Sequence, residues 1–339
     1  MEIEGTILAG RDFEAVRGRL VVEDGRIAAI EEASVESDDV VLPAFVNAHT
    51  HIGDSIAKDA GRGLSLEELV APPDGLKHRL LREADRADLV RGMHRSLQYM
   101  AETGTAATLE FREGGVEGVT ALREAAAGVD VDPFVLGRDD PDVLDVADGY
   151  GASGANDADF ARERRAARDA GKFFAIHAGE VDDSDIHPAL DLDPDLLVHM
   201  VHADDVHLDR VEDSETPIAV CPRSNLVTDV GLPDVPELLE RTTVALGTDN
   251  VMLNSPSMFR EMAYAAKTYD LTAVEVLRMA TTAGAEIVGR NDGLIERGRD
   301  ANVLVLDGDS HNLAGYRDPA RAAVRRASAS DVKRVVHAT

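Results

Sequence analysis

"PAFVNAHTHIGDS", Pro43 to Ser55, is the stretch on which the reading turns. An apolar run ends, and His49 and His51 follow with one residue between them. In a strand, residues i and i+2 point to the same face. The two imidazoles then stand about 6–7 Å apart along the backbone and can close on one ion. His is the commonest protein metal ligand. The competing reading is two histidines exposed in a loop, so the rest of the chain has to decide.

Working outward, apolar strands alternate with helical stretches. VVLPAFVNA leads to a helix near 82–102, and TAATLEF to one near 116–127. DPFVLG is next, then a weak strand near 146–153 and a helix near 157–170. KFFAIHA, DLLVHMVHA, TPIAVC and TTVALGT continue the series, with helices near 207–213, 235–241 and 257–269. A last helix is expected at 272–284. Such alternation predicts a parallel sheet. Eight strands with helical crossovers predict the α/β class and a closed (β/α)8 barrel.

The two ends of the chain read differently. "GRLVVEDGRIAAIEE" is a hairpin signal around Asp24-Gly25. "GLIERGRDANVLVLDGDS" and "ASDVKRVVHA" return to strand character near the other end. A small β-domain from residues 1–40 and 290–339 is expected beside a barrel over 41–289. The basic stretch Arg317 to Arg326 reads as a solvated face.

Composition limits the partners. The chain has 339 residues, 64 acidic against 35 basic, and a formal net charge of -29. That balance argues against nucleic-acid backbones and anionic membranes. Acid spread along the whole chain suggests a salt-rich, halophilic cytoplasm. Cys221 is the single cysteine, so no intrachain disulfide is expected. The start, MEIEGTILAGRDFE, lacks the basic and apolar regions of a signal peptide. No apolar run reaches a membrane span, and a cytoplasmic protein is expected.

Polar residues fall where barrel enzymes carry chemistry, just past the carboxyl ends of strands. His49, His51, Glu110, His177, His199, His202 and Asp249 all do so. Three neutral imidazoles and a carboxylate suit zinc or another borderline divalent metal. His49, His51, His177 and Asp249 meet that count. Glu180 lies three residues past His177 in "HAGE". There it could take a proton from water and later give one to a leaving group. No HExxH, Cys-x-x-Cys, Walker loop or GxGxxG after a strand appears, so nucleotide cofactors are not expected.

Together these elements resemble the amidohydrolase superfamily, and within it the cyclic-amine deaminase branch. "VLPAFVNAHTH", "IHAGE", "HMVHADDVHL", "VCPRSN", "ALGTDN" and "GLIERGRDANVLVLD" occur in the family's order. The resemblance implies one divalent metal, zinc before iron, held by His49, His51, His177 and Asp249. It implies Glu180 as proton shuttle and His199 as stabiliser of the attacking water or tetrahedral intermediate. Asp249 would also accept a proton from the water. His199 is preferred to His202 because its spacing to the acidic turn fits better; His202 is then structural or a substrate contact. Binuclear members use a lysine on strand four. Lys172 is the only lysine between residues 78 and 266, at the wrong end of strand five, so a mononuclear site is expected.

The implied activity is hydrolytic deamination of a purine, pyrimidine or related N-heterocycle, with release of ammonia. A ring-opening hydrolase of a cyclic amide shares the same motif and is the alternative. Glu110 and Arg112 either touch substrate or pair with each other. Arg223 and Asn225 face the same choice, with substrate contact preferred. The resemblance also allows a homo-oligomer.

Overall fold

The computed structural model describes residues 1–338. Its strands are β1 (Glu2–Ala9), β2 (Glu14–Glu23), β3 (Arg26–Glu32), β4 (Val40–Pro43), β5 (Phe45–His51), β6 (Thr105–Arg112), β7 (Asp132–Gly137), β8 (Gly149–Ala152), β9 (Phe173–Ala178), β10 (Leu196–His199), β11 (Ile218–Val220), β12 (Val244–Leu246), β13 (Asp249–Asn250), β14 (Val303–Leu306) and β15 (Val332–Val336). They form two sheets, one of six strands and one of nine.

The chain falls into two compact units. One comprises Met1–Asn47, Met100–Ala107 and the chain from Ser257 onward. It holds the six-strand sheet, in the order β15-β14-β4-β1-β2-β3. The β2–β3 turn has Asp24 at φ 48 and Gly25 at φ 71. Both lie in the left-handed region that a two-residue hairpin turn needs. Ile3, Ile7, Leu20, Val22, Ile27, Val41, Val303 and Val305 pack into one core. The basic stretch forms the helix Pro319–Arg325, which buries Ala320, Ala322, Ala323 and Val324 and turns its arginines outward.

One expectation changes here. VVLPAFVNA is not one strand. Its first half is β4, paired antiparallel with β14, and its second half is β5. Pro43 has no N–H to donate, so a ladder breaks readily at this residue.

The other unit comprises Ala48–Tyr99 and Thr108–Pro256. The nine-strand sheet runs β12-β11-β10-β9-β8-β7-β6-β5-β13. Pairs from β7 to β12 are parallel, and β13 pairs parallel with β5. All residues of β5 and β6 are buried. That is the near-continuous burial of a parallel sheet covered on both faces. β12 and β13, at opposite ends of the sheet order, are separated in sequence only by Gly247 and Thr248. A side chain at Gly247 would meet His49 Cβ at 2.7 Å and Cys221 Sγ at 2.9 Å, so this break needs a glycine. Among the described residues, no helix is long and apolar enough to cross a membrane.

Candidate active site

His49 and His51 sit at the end of β5 and are 0% and 3% exposed. His177 is near the end of β9, His199 ends β10, and Asp249 opens β13. Gly179, at φ 63, turns the chain after β9, and its N–H donates to Asp185 Oδ1 at 2.8 Å. Glu180 follows directly. His199 and Asp249 have φ of 80 and 59, in the left-handed region. Such backbone costs about 1–3 kcal/mol per non-glycine residue and gathers at functional sites.

These side chains converge. Ligand atoms of His49, His51 and Asp249 lie within 4.8 Å of one another. The same holds for His49, His177 and His199, and for Glu180, His199 and Asp249. Asp249 Oδ1 lies 3.3 Å from His49 Nε2 and 3.6 Å from His51 Nε2. His177 Nδ1 lies 2.8 Å from the Ala152 carbonyl, to which it donates as Nδ1–H, leaving Nε2 with its lone pair. Asn225 Nδ2 donates to His199 Nδ1 at 3.2 Å. That leaves the His199 Nε2–H facing Glu180 Oε2 at 3.5 Å.

The donor set fits a divalent cation. Both ring nitrogens of His49 are buried with no hydrogen-bond partner among the described residues. Orphaned buried polar atoms cost about 1–3 kcal/mol each, and a bound ion would satisfy one of them. Burial pushes the pKa values of His49 and His177 down. Burial, then the charge of Lys77, pushes His51 down to about 3. All three rings are therefore neutral near pH 7, the state that binds metal. Burial pushes Glu180 up, although His199 opposes it. A raised carboxylate pKa suits proton transfer near neutral pH.

A cavity of about 310 Å³ opens onto this cluster. His51, Lys77, His177, Glu180, His199 and Asp249 reach its surface. Leu66, Val70 and Pro72 supply apolar wall from the segment after β5.

Several residues offered as substrate contacts lie elsewhere than on this cavity. Glu110 does not line this cavity. It is fully buried, and its Oε2 accepts from Thr50 Oγ1 at 2.8 Å and the Ile52 N–H at 2.7 Å. It fixes the backbone that carries His51. Arg112 pairs with Glu113 at 3.4 Å, and its Nε donates to the Gly118 carbonyl at 3.2 Å. It too lies off this cavity. Arg223 donates to the Ser255 carbonyl at 2.9 Å, and His202 is exposed; neither lines the cavity. Asn225 touches His199 and is likewise absent from the cavity surface.

Sequence reading missed the support around the ligand set. Glu113 Oε1 lies 3.0 Å from His51 Nδ1. Burial alone would push Glu113 up, but Lys77, His51 and Arg138 hold it well below the usual carboxylate range. Ser224 Oγ donates to Asp249 Oδ2 at 2.6 Å, and Asn250 Nδ2 to Asp249 Oδ1 at 2.9 Å. The available signal for Glu113 was its place just past the carboxyl end of β6, in "LEFREGG".

The sequence profile of the amidohydrolase family matches residues 40–337. The chain belongs to the amidohydrolase family. This amidohydrolase is a hydrolase acting on carbon–nitrogen bonds. An uncharacterised protein of Methanocaldococcus jannaschii is 36% identical over 333 residues, covering 87% of each chain. A 5-methylthioadenosine/S-adenosylhomocysteine deaminase of Haloarcula marismortui is 28% identical over 88% of this amidohydrolase and 80% of the relative. A zinc-bound adenosine deaminase from Xanthomonas campestris has the same fold, with a TM-score of 0.76 and 17% identity. That match covers 99% of this chain and 91% of the other.

Proposed function

We propose that this amidohydrolase removes an exocyclic amine from a purine, pyrimidine or related heterocycle and releases it as ammonia. The observation that carries the reading is that Glu180 and His199 meet the His–Asp cluster at one cavity. The deaminase names of relatives support the reaction type. We further read the nine-strand sheet as a closed (β/α)8 barrel, with β12 and β13 as two halves of its eighth strand.

His49, His51, His177 and Asp249 would hold one divalent ion, zinc before iron. When bound, that ion supplies Lewis acidity, which lowers the pKa of adjacent water toward about 7. Glu180 takes a proton from the attacking water and delivers it to the ring nitrogen beside the reacting carbon. The water oxygen bonds to that carbon, which becomes tetrahedral. The His199 Nε2–H donates to the oxygen on which charge develops. Asp249 accepts the remaining proton of that oxygen and passes it to the exocyclic amine. The carbon–nitrogen bond breaks, the carbonyl forms, and ammonia leaves.

The test is ammonia release in molar KCl by zinc-loaded enzyme. The panel holds adenine and guanine derivatives, their nucleosides, 5-methylthioadenosine, cytosine and pterins. Release from one compound supports the reading and names the substrate class. No ammonia, with a product one water heavier than its substrate, replaces it with ring opening.

A further inference from the structure

Five lysines occur in the chain: Lys58, Lys77, Lys172, Lys267 and Lys333. Only Lys77 is buried, at 2% exposure. It sits on the helix Leu76–Glu83. A buried ammonium is costly unless its donors are met, and here the partners are informative. Nζ lies 2.6 Å from Glu113 Oε1 and donates to Asn250 Oδ1 at 3.1 Å. Glu113 Oε1 also faces His51 Nδ1 at 3.0 Å. Asn250 Nδ2 donates to Asp249 Oδ1, which lies 3.6 Å from His51 Nε2. The chain of contacts closes on itself: His51, Glu113, Lys77, Asn250, Asp249 and back to His51.

We propose that Lys77 is a positioning residue for the metal ligands. It sets the orientation of His51 through Glu113 and that of Asp249 through Asn250. Two ligands from different strands are thereby locked to one ammonium. The same ammonium ties them to the helix Leu76–Glu83. Hydrogen bonds to the remote nitrogen of a ligating histidine fix its tautomer and ring orientation. Lys77 extends that control to a carboxylate on another strand. Arg112 at 3.4 Å and Arg138 at 3.5 Å also face Glu113, so replacing Lys77 does not leave the carboxylate without a cation. What is lost is the ammonium that joins Glu113 to Asn250.

This inference rests on the proposed ligand set but not on deamination, and its metal-binding test needs no substrate. The full-length protein is loaded with Co²⁺. Affinity is read by chelator competition, and ligand geometry by the visible absorption of the bound ion. Lys77→Met should weaken Co²⁺ about 10–100-fold and alter the absorption bands. Lys77→Arg should recover part of the affinity. Lys77→Met combined with Glu113→Gln should cost no more than the larger single change, because both act on one network. If Lys77→Met does not fold, Asn250→Ala breaks the same ring from its other side and carries the test.

A folded Lys77→Met variant with lower thermal stability but unchanged Co²⁺ affinity and spectrum would overturn the proposal. A raised KM at unchanged Co²⁺ affinity would also overturn it and make Lys77 a substrate contact. Wild-type protein that binds Co²⁺ but releases no ammonia removes the deaminase reading and leaves this one standing. Wild-type protein that binds no Co²⁺ removes the ligand set and this inference with it.

Discussion

Glu180 Oε2 faces His199 Nε2 at 3.5 Å, across the cluster that holds Asp249. In the proposed reaction a proton carrier and a hydrogen-bond donor thus share one corner of the cavity. Glu180→Gln keeps the shape and removes the transferable proton. It should lower kcat by about 10²–10⁴-fold and leave metal content unchanged. Elemental analysis beside an ammonia assay checks both. Loss of metal would make Glu180 a ligand and overturn the division of roles.

His49 offers a second prediction. Among the described residues neither of its buried ring nitrogens makes a hydrogen bond, and Nε2 lies 3.3 Å from Asp249 Oδ1. His49→Leu should abolish metal binding. Added zinc should raise the midpoint of the wild type and not that of the variant. Calorimetry with and without zinc distinguishes these outcomes. A variant that still binds zinc stoichiometrically would exclude His49 as a ligand.

Glu110 predicts a pH dependence of stability. Burial pushes its pKa from 4.5 up to about 8. The folded state holds the proton more tightly than the unfolded chain. Its contribution is therefore fully present below about 4.5 and is lost as pH rises through about 8. The interval corresponds to on the order of 5 kcal/mol. Glu110→Gln should flatten the thermal midpoint between pH 5 and 8 relative to wild type. An identical pH profile in the two proteins would show that Glu110 does not titrate in this range.

Salt should stabilise the protein. With a net charge of -29, like charges repel across the folded surface. Raising KCl from low salt to molar concentration screens that repulsion. The thermal midpoint should rise. A flat or falling midpoint would count against adaptation to a salt-rich cytoplasm.

Much of the site was legible because strands place chemistry at predictable ends. His49 and His51 share a face by the two-residue period of β5. His177 and Asp249 stood out as polar residues closing apolar runs. The same logic failed at Glu110. It lies in an apolar strand too, but its carboxylate turns to Thr50 and Ile52 and away from the cavity. Strand position does not say which face meets the cavity and which meets a neighbouring strand. VVLPAFVNA shows a related limit. Periodicity marked it as extended, but its division between two sheets depends on which strands pair with each half.

Order and spacing in the sequence determined the elements, the hairpin at Asp24-Gly25 and the candidate ligands. Each of those signals is local or repeats along the chain. The ring through Lys77, Glu113 and Asn250 was decided only by tertiary structure. Lys77 and Glu113 are 36 positions apart, and Lys77 and Asn250 are 173 apart. No periodicity links them. A buried ammonium acquires its partners only when the helix Leu76–Glu83 meets the ends of β6 and β13, because its donors must then be satisfied by whatever the fold brings within reach.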